Sequence, residues 1–120
     1  MAKHLETGKR GEQMALDFLR TKGYQILECN WRYHRAEVDI IAQSGPLIVF
    51  VEVKTRSGAA FGPPEAFLNA AQEQRIAAAA AAYLEQINHQ WEIRFDIISI
   101  LLKGPQSQIK HLEDAFFPSW

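Results

Sequence analysis

Between Glu37 and Thr55 the chain alternates on both sides of a Ser44-Gly45-Pro46 turn, and this stretch constrains the fold more than any other. Val38, Ile40 and Ala42 alternate with Glu37, Asp39 and Ile41; Val49, Val51 and Val53 alternate with Phe50, Glu52 and Lys54. A period of two belongs to strands, whose successive side chains point to opposite faces. The pattern predicts two strands, 37–43 and 47–55, with one wholly apolar face. The other face carries Glu37, Asp39, Glu52 and Lys54. Ile41, Ile48 and Phe50 continue that charged face as apolar, so a helix is expected to cover part of it.

Register sharpens the picture. A two-residue turn at Gly45-Pro46 pairs Ser44 with Leu47, and counting outward sets Asp39 opposite Glu52 and Glu37 opposite Lys54. Two carboxylates then face each other with Cβ atoms ~5 Å apart, a placement that destabilises a sheet. Water, Lys54 or a divalent cation would have to offset the repulsion, and carboxylate oxygens are ligands that Mg²⁺ prefers. Two readings stay open on these residues. One is a solvated sheet face with a Glu37–Lys54 ion pair; the other is a metal site on Asp39 and Glu52.

Apolar spacing and a Gly23 stop predict a helix from Gly8 to Lys22. Tyr24 to Trp31 reads as a strand, and Gly58 to Pro64 as a loop rich in Gly and Pro. A long helix is expected from Glu65 or Ala70 to Ile87 around Ala77 to Ala82, since Ala is the best helix former. Ile93 to Leu102 reads as a buried strand, Gly104 to Gln108 as a turn and Ile109 to Glu113 as an edge strand. The order α-β-β-β-α-β-β predicts an α/β fold with a mixed sheet of about five strands. At 120 residues the chain is expected to be a single domain over 1–120, with 1–7 as a flexible start. At that size folding buries roughly two thirds of the unfolded surface, so no disulfide or structural metal is required.

Composition limits the function. The lone cysteine, Cys29, excludes an internal disulfide and a Cys-rich zinc site, and suits a reducing cytoplasm. The first residues lack the apolar core of a signal peptide. No apolar run approaches the ~20 residues of a membrane span, so no membrane partner is expected. Net charge is −1, but its distribution is uneven. Residues 1–60 hold nine Lys/Arg against seven Asp/Glu, and residues 61–120 hold four against seven. The basic excess therefore lies in the half that carries the charged hairpin.

Asp39, twelve intervening residues and Glu52-Val53-Lys54 resemble the PD-(D/E)XK motif of restriction-endonuclease-like nucleases. A longer pattern resembles the bacterial YraN family, which is largely uncharacterised and similar to Holliday-junction resolvases. Its elements are Gly11-Glu12, Gly23-Tyr24, Asn30-Trp31-Arg32, Glu37-Val38-Asp39-Ile40-Ile41, Phe50 to Arg56, Arg94-Phe95-Asp96 and Ala115-Phe116. Ala36 stands where that family usually has Gly. The resemblance implies a restriction-endonuclease-like three-layer α-β-α fold. It also implies that Glu12, Asp39, Glu52 and Lys54 occupy the places of the catalytic set.

These residue types suit phosphodiester hydrolysis. Asp39 and Glu52 are the expected ligands of Mg²⁺ or Mn²⁺. Lys54 would position or deprotonate a water, or offset charge on the phosphate. Glu12 would orient the metal's water or Lys54 from the helix. Glu37 is expected to support the site beside the metal or to pair with Lys54 or Arg56. Arg32, Arg35 and Arg56 are candidate phosphate contacts. Trp31 and Tyr33 could stack on bases, against the plainer reading of core aromatics. Gln72, Gln74 and Arg75 could reach a phosphate, against that of a solvated helix face. Cys29 is expected to be buried, the four histidines to lie on the surface, and Asp96 to be structural. The expected function is that of a metal-dependent endonuclease on DNA, with DNA favoured over RNA and branched DNA a candidate substrate. A non-catalytic nucleic-acid-binding or DNA-processing accessory is the alternative. Cutting both strands would require a homodimer, through the Ala-rich helix or the Phe116-Phe117-Pro118-Ser119-Trp120 end, against the plainer reading that both pack on the chain's own sheet.

Overall fold

The computed structural model describes residues 2–57, 68–89 and 92–117. Among them the element order is α1 (Ala2–Thr21), β1 (Gln25–Tyr33), β2 (Ala36–Ser44), β3 (Leu47–Ser57), α2 (Ala70–Gln86), β4 (Ile93–Leu102) and β5 (Gln108–Leu112). The five strands form one mixed sheet in the order β1-β2-β3-β4-β5. Only β3 and β4 run parallel, and α2 lies in the crossover between them. The expected α-β-β-β-α-β-β order and the five-strand sheet are both present. The loop expected from Gly58 to Pro64 lies outside the described residues.

Each helix covers one sheet face, giving three layers. Ala15 and Leu19 of α1 pack with Ile40, Ala42, Val49, Val51, Ile98 and Ile100. On the other face Ile76, Ala79, Ala80 and Tyr83 of α2 pack with Ile41, Phe50, Phe95 and Ile97. The small alanines thus serve close packing of α2 on its own sheet. Asn69 caps this helix: its side chain accepts from the Gln72 N–H, while the Gln72 side chain accepts from the Asn69 N–H, both at 2.9 Å. This reciprocal capping box places the helix start at Ala70 rather than Glu65.

Helix α1 begins at Ala2, ahead of the expected Gly8, and runs through Gly8 and Gly11. Gly11 has a specific reason to be there. A Cβ at this position would lie 1.8 Å from the Thr55 hydroxyl oxygen, so only glycine lets α1 approach β3 this closely.

Val38 departs from the expected apolar face. It packs in the α2 cluster, whereas Ile40 packs against α1. The pairs Cys29↔Ile40 and Trp31↔Val38 bracket Asn30 and Asp39, and Asn30 has a left-handed φ of 52°. Asn tolerates that conformation better than most residues, and a left-handed residue kinks a strand. The kink breaks the strict alternation where the charged residues begin.

A polar knot pins β4 to β5. The fully buried Asp96 receives two bonds from the Arg94 guanidinium at 2.8 Å, one from the Asp114 N–H at 2.9 Å and one from His111 at 2.7 Å. Lys22 Nζ lies 3.0 Å from His111 Nδ1. An ammonium only donates, so Nδ1 accepts and Nε2 carries the proton given to Asp96. Burial opposes the Asp96 charge, but these donors outweigh it and hold the carboxyl below its ordinary range. His111 is therefore a nearly buried network member rather than the surface residue expected. Cys29 is exposed, not buried, because it lies on the edge strand β1.

Candidate active site

The β2–β3 ladder runs from Ser44↔Leu47 to Ile40↔Val51, in the register the turn predicts. Beyond Val51 the strands part company. β2 keeps its partners on β1, including Arg32↔Glu37, while β3 keeps its partners on β4 as far as Ser57↔Leu102. The sheet forks where Asp39 and Glu52 would form the next pair. The Asp39 carboxylate bridges the fork by accepting the Val53 N–H at 2.7 Å.

The electrostatics of the fork follow from burial and like charge. Burial is the largest influence on Asp39, followed by the Glu52 charge and a hydrogen bond between the two carboxyls. Together they push Asp39 up to about 8, against the Val53 N–H. Glu52 is also raised, chiefly by burial, although its bond from Asp39 and the Lys54 charge work the other way. Burial and like charge thus raise both members of the pair, which titrate together. Lys54 Nζ stands 3.9 Å from Glu52 Oε1, and both side chains are largely shielded from solvent.

Glu12 reaches the same region from α1, the helix that Gly11 brings against β3. Burial raises its pKa first and the Asp39 charge second, while a hydrogen bond to Asn30 lowers it. The kinked residue of β1 is thus the partner of the helix carboxylate. Ser99, opposite Lys54 on β4, is 2% exposed, and its hydroxyl has no partner among the described residues.

Glu37 does not form the ion pair with Lys54 that the register suggested. It pairs with Arg32 at 3.1 Å, its ladder neighbour, and Lys54 pairs with Glu52 instead. The fork is the cause, since Glu37 and Lys54 lie beyond the last β2–β3 pair. Glu37 still adds negative charge that raises Asp39, Glu52 and Glu12. Arg32 and Arg56 are exposed; Arg56 donates to the Thr55 carbonyl at 3.1 Å.

Glu52 and Glu37 open into a cavity of about 140 Å³ whose other walls include Arg35, Gln72 and Arg75. By sequence alone Gln72 and Arg75 stand between a phosphate contact and a solvated helix face. Their spacing of three, which puts them on one helix side, was the available signal. Asn30 and the close approach of Gly11 were missed as well. A glycine inside a helix and an asparagine inside a strand were the signs of both.

Among the described residues no three His, Cys, Asp or Glu side chains surround one point. A cation at the fork would therefore have Asp39 and Glu52 as its protein ligands and draw the rest from water and phosphate. That is how Mg²⁺ is usually held. The residues present fit such an ion.

No described helix is long and apolar enough to cross a membrane. The profile of the Uncharacterised protein family UPF0102 matches residues 11–100. A UPF0102 protein of Christiangramia forsetii is 47% identical over 117 residues, covering 98% of both chains. One of Flavobacterium psychrophilum is 45% identical, again over 98% of both. One of Thermodesulfovibrio yellowstonii is 43% identical, over 94% of this chain and 97% of its own.

Proposed function

The chain belongs to the UPF0102 family, and with that membership as premise we propose that it is a metal-dependent endonuclease acting on DNA. The observation that carries the proposal is the forked sheet, where Asp39 accepts the Val53 N–H at 2.7 Å and Glu52 lies 3.9 Å from Lys54. The sequence likeness of Asp39, Glu52 and Lys54 to the PD-(D/E)XK element, and of the longer pattern to the Holliday-junction resolvases, supports the same reading.

Asp39 and Glu52 would hold Mg²⁺ or Mn²⁺, which when bound supplies Lewis-acid polarisation of a phosphodiester. The Asp39 proton must leave for the pair to serve as ligands. Lys54, 3.9 Å from Glu52, would orient a water or meet charge growing on the phosphate. Glu12, held by Asn30, contributes negative charge from the helix side. Arg35 and Arg75 border the Glu52 cavity and supply cations for the phosphate backbone. The chain's net charge of −1 favours a second reading, an accessory that binds nucleic acid without cutting it.

A cleavage assay on junction, flap, single-stranded and duplex DNA with Mg²⁺ or Mn²⁺ separates the two. Cleavage is expected on branched or partly single-stranded substrates and is abolished in Glu52→Ala and Lys54→Ala. A small domain reaches part of a duplex, so paired cuts go with a two-fold dimer, which light scattering reports. No cleavage of any substrate by protein that binds metal establishes the accessory reading. Cleavage that survives Glu52→Ala comes from a contaminant.

A further inference from the structure

A second cavity, of about 350 Å³, lies between the β1–β2 hairpin tip and the outer side of α2. Tyr33, His34, Arg35, Ala36, Arg75 and Ala78 line it. It shares Arg35, Ala36 and Arg75 with the cavity that holds Glu37 and Glu52, so the two are contiguous. Its volume lies at the small end of ligand sites, roughly 300–1,000 Å³.

Three features define what fits there. First, one wall is aromatic and anchored on the core. Trp31 packs edge-on against buried Tyr83 at 5.2 Å, and Tyr33 stacks parallel to Trp31 with an interplanar angle of 3°. Tyr33 carries His34 edge-on at 4.3 Å and is still 38% exposed, so the inner ring is anchored and the outer one is partly open. Second, Arg35 and Arg75 stand where the cavities meet, both exposed, and neither has an ion pair among the described residues. Third, the cavity leads to Glu52.

We propose that this cavity is a subsite for one unpaired nucleotide, its base against Tyr33 and its phosphate between Arg35 and Arg75. The strand would continue from there to the Glu52 cavity. A ring inside a duplex has both faces covered by its neighbours, so only an unpaired or extruded base presents a face to Tyr33. The subsite makes unpaired DNA, rather than plain duplex, the recognised substrate. This inference rests on the nuclease reading for the direction of the strand.

The test measures binding apart from cleavage. Every protein carries Glu52→Gln so that the probe stays whole. Fluorescence anisotropy follows a labelled short single-stranded DNA and a blunt duplex of the same sequence. Tyr33→Ala is expected to weaken single-strand binding about ten-fold and to leave duplex binding unchanged, while Tyr33→Phe retains both. Arg35→Ala and Arg75→Ala should each lower the salt slope for single strands by about 0.7. Melting temperatures verify that all variants fold. Single-strand binding unaffected by Tyr33→Ala, an equal loss on both probes, or no single-strand binding by the parent overturns the subsite. The nuclease reading fails separately, if the unmodified chain cuts nothing in Mn²⁺ while Tyr33 still discriminates the probes.

Discussion

Asp39 concentrates the chemistry of this protein in one side chain. In water a carboxyl of this kind is ionised above pH 3.8; at the fork it holds its proton to about 8. The folded state then binds a proton that the unfolded chain has lost. Stability of the metal-free protein is present below pH 3.8 and declines as pH rises through that window, with raised Glu52 and Glu12 adding to the same slope. Asp39→Asn keeps an acceptor for the Val53 N–H and a donor for Glu52, but removes the titration. In chelator at pH 8 the variant should melt roughly 5 °C above wild type, about 1 kcal/mol, and the two should converge near pH 4. Thermal melts at both pH values check this; equal melting temperatures at pH 8 would show that the pair is not strained. The turn and a count gave the β2–β3 register from Ser44↔Leu47 to Ile40↔Val51, but the ladder stops before the expected Asp39–Glu52 pair. The partners of Glu37 and Lys54 were not legible in the sequence. They depend on where β2 and β3 part, which neighbouring strands decide.

At the scale of elements, the site depends on how closely α1 lies against β3. Gly11 sets that distance through Thr55. Gly11→Ala improves intrinsic helix propensity by ~1 kcal/mol, yet its Cβ would collide with the Thr55 side chain, so a net loss of roughly 1–3 kcal/mol is expected. Adding Thr55→Gly should recover part of it, in a double-mutant cycle followed by urea denaturation. A stabilising Gly11→Ala would show that the helix does not press on the strand. The strands and the alanine-rich helix were readable because period two and helix propensity are local. The extra turns at the start of α1 were hidden by its two glycines. The displacement of Val38 to the α2 side was hidden by a left-handed residue on a different strand. The tertiary uses of His111 and Cys29 left no local trace either, since burial depends on which strands form the edges.

At the scale of the whole molecule, two helices clasp a five-stranded sheet that opens between β2 and β3, and the candidate groups gather at the opening. Glu12 comes from α1, Asp39 from β2, Glu52 and Lys54 from β3, and Arg75 from α2. Residues distant in sequence thus meet through the fold. Phe116 packs on Phe95 at 5.2 Å while Phe117 is exposed, and Pro118, Ser119 and Trp120 lie outside the described residues. We propose the fork as a divalent-cation site built on Asp39 and Glu52. Titration calorimetry with Mn²⁺ at pH 7, wild type beside Asp39→Ala, tests it most directly. Saturable binding in wild type, absent in Asp39→Ala, is predicted. Its heat should vary with the buffer's ionisation enthalpy, because the Asp39 proton must be released as the ion binds. No heat at millimolar Mn²⁺, or an isotherm that Asp39→Ala leaves unchanged, would contradict the account.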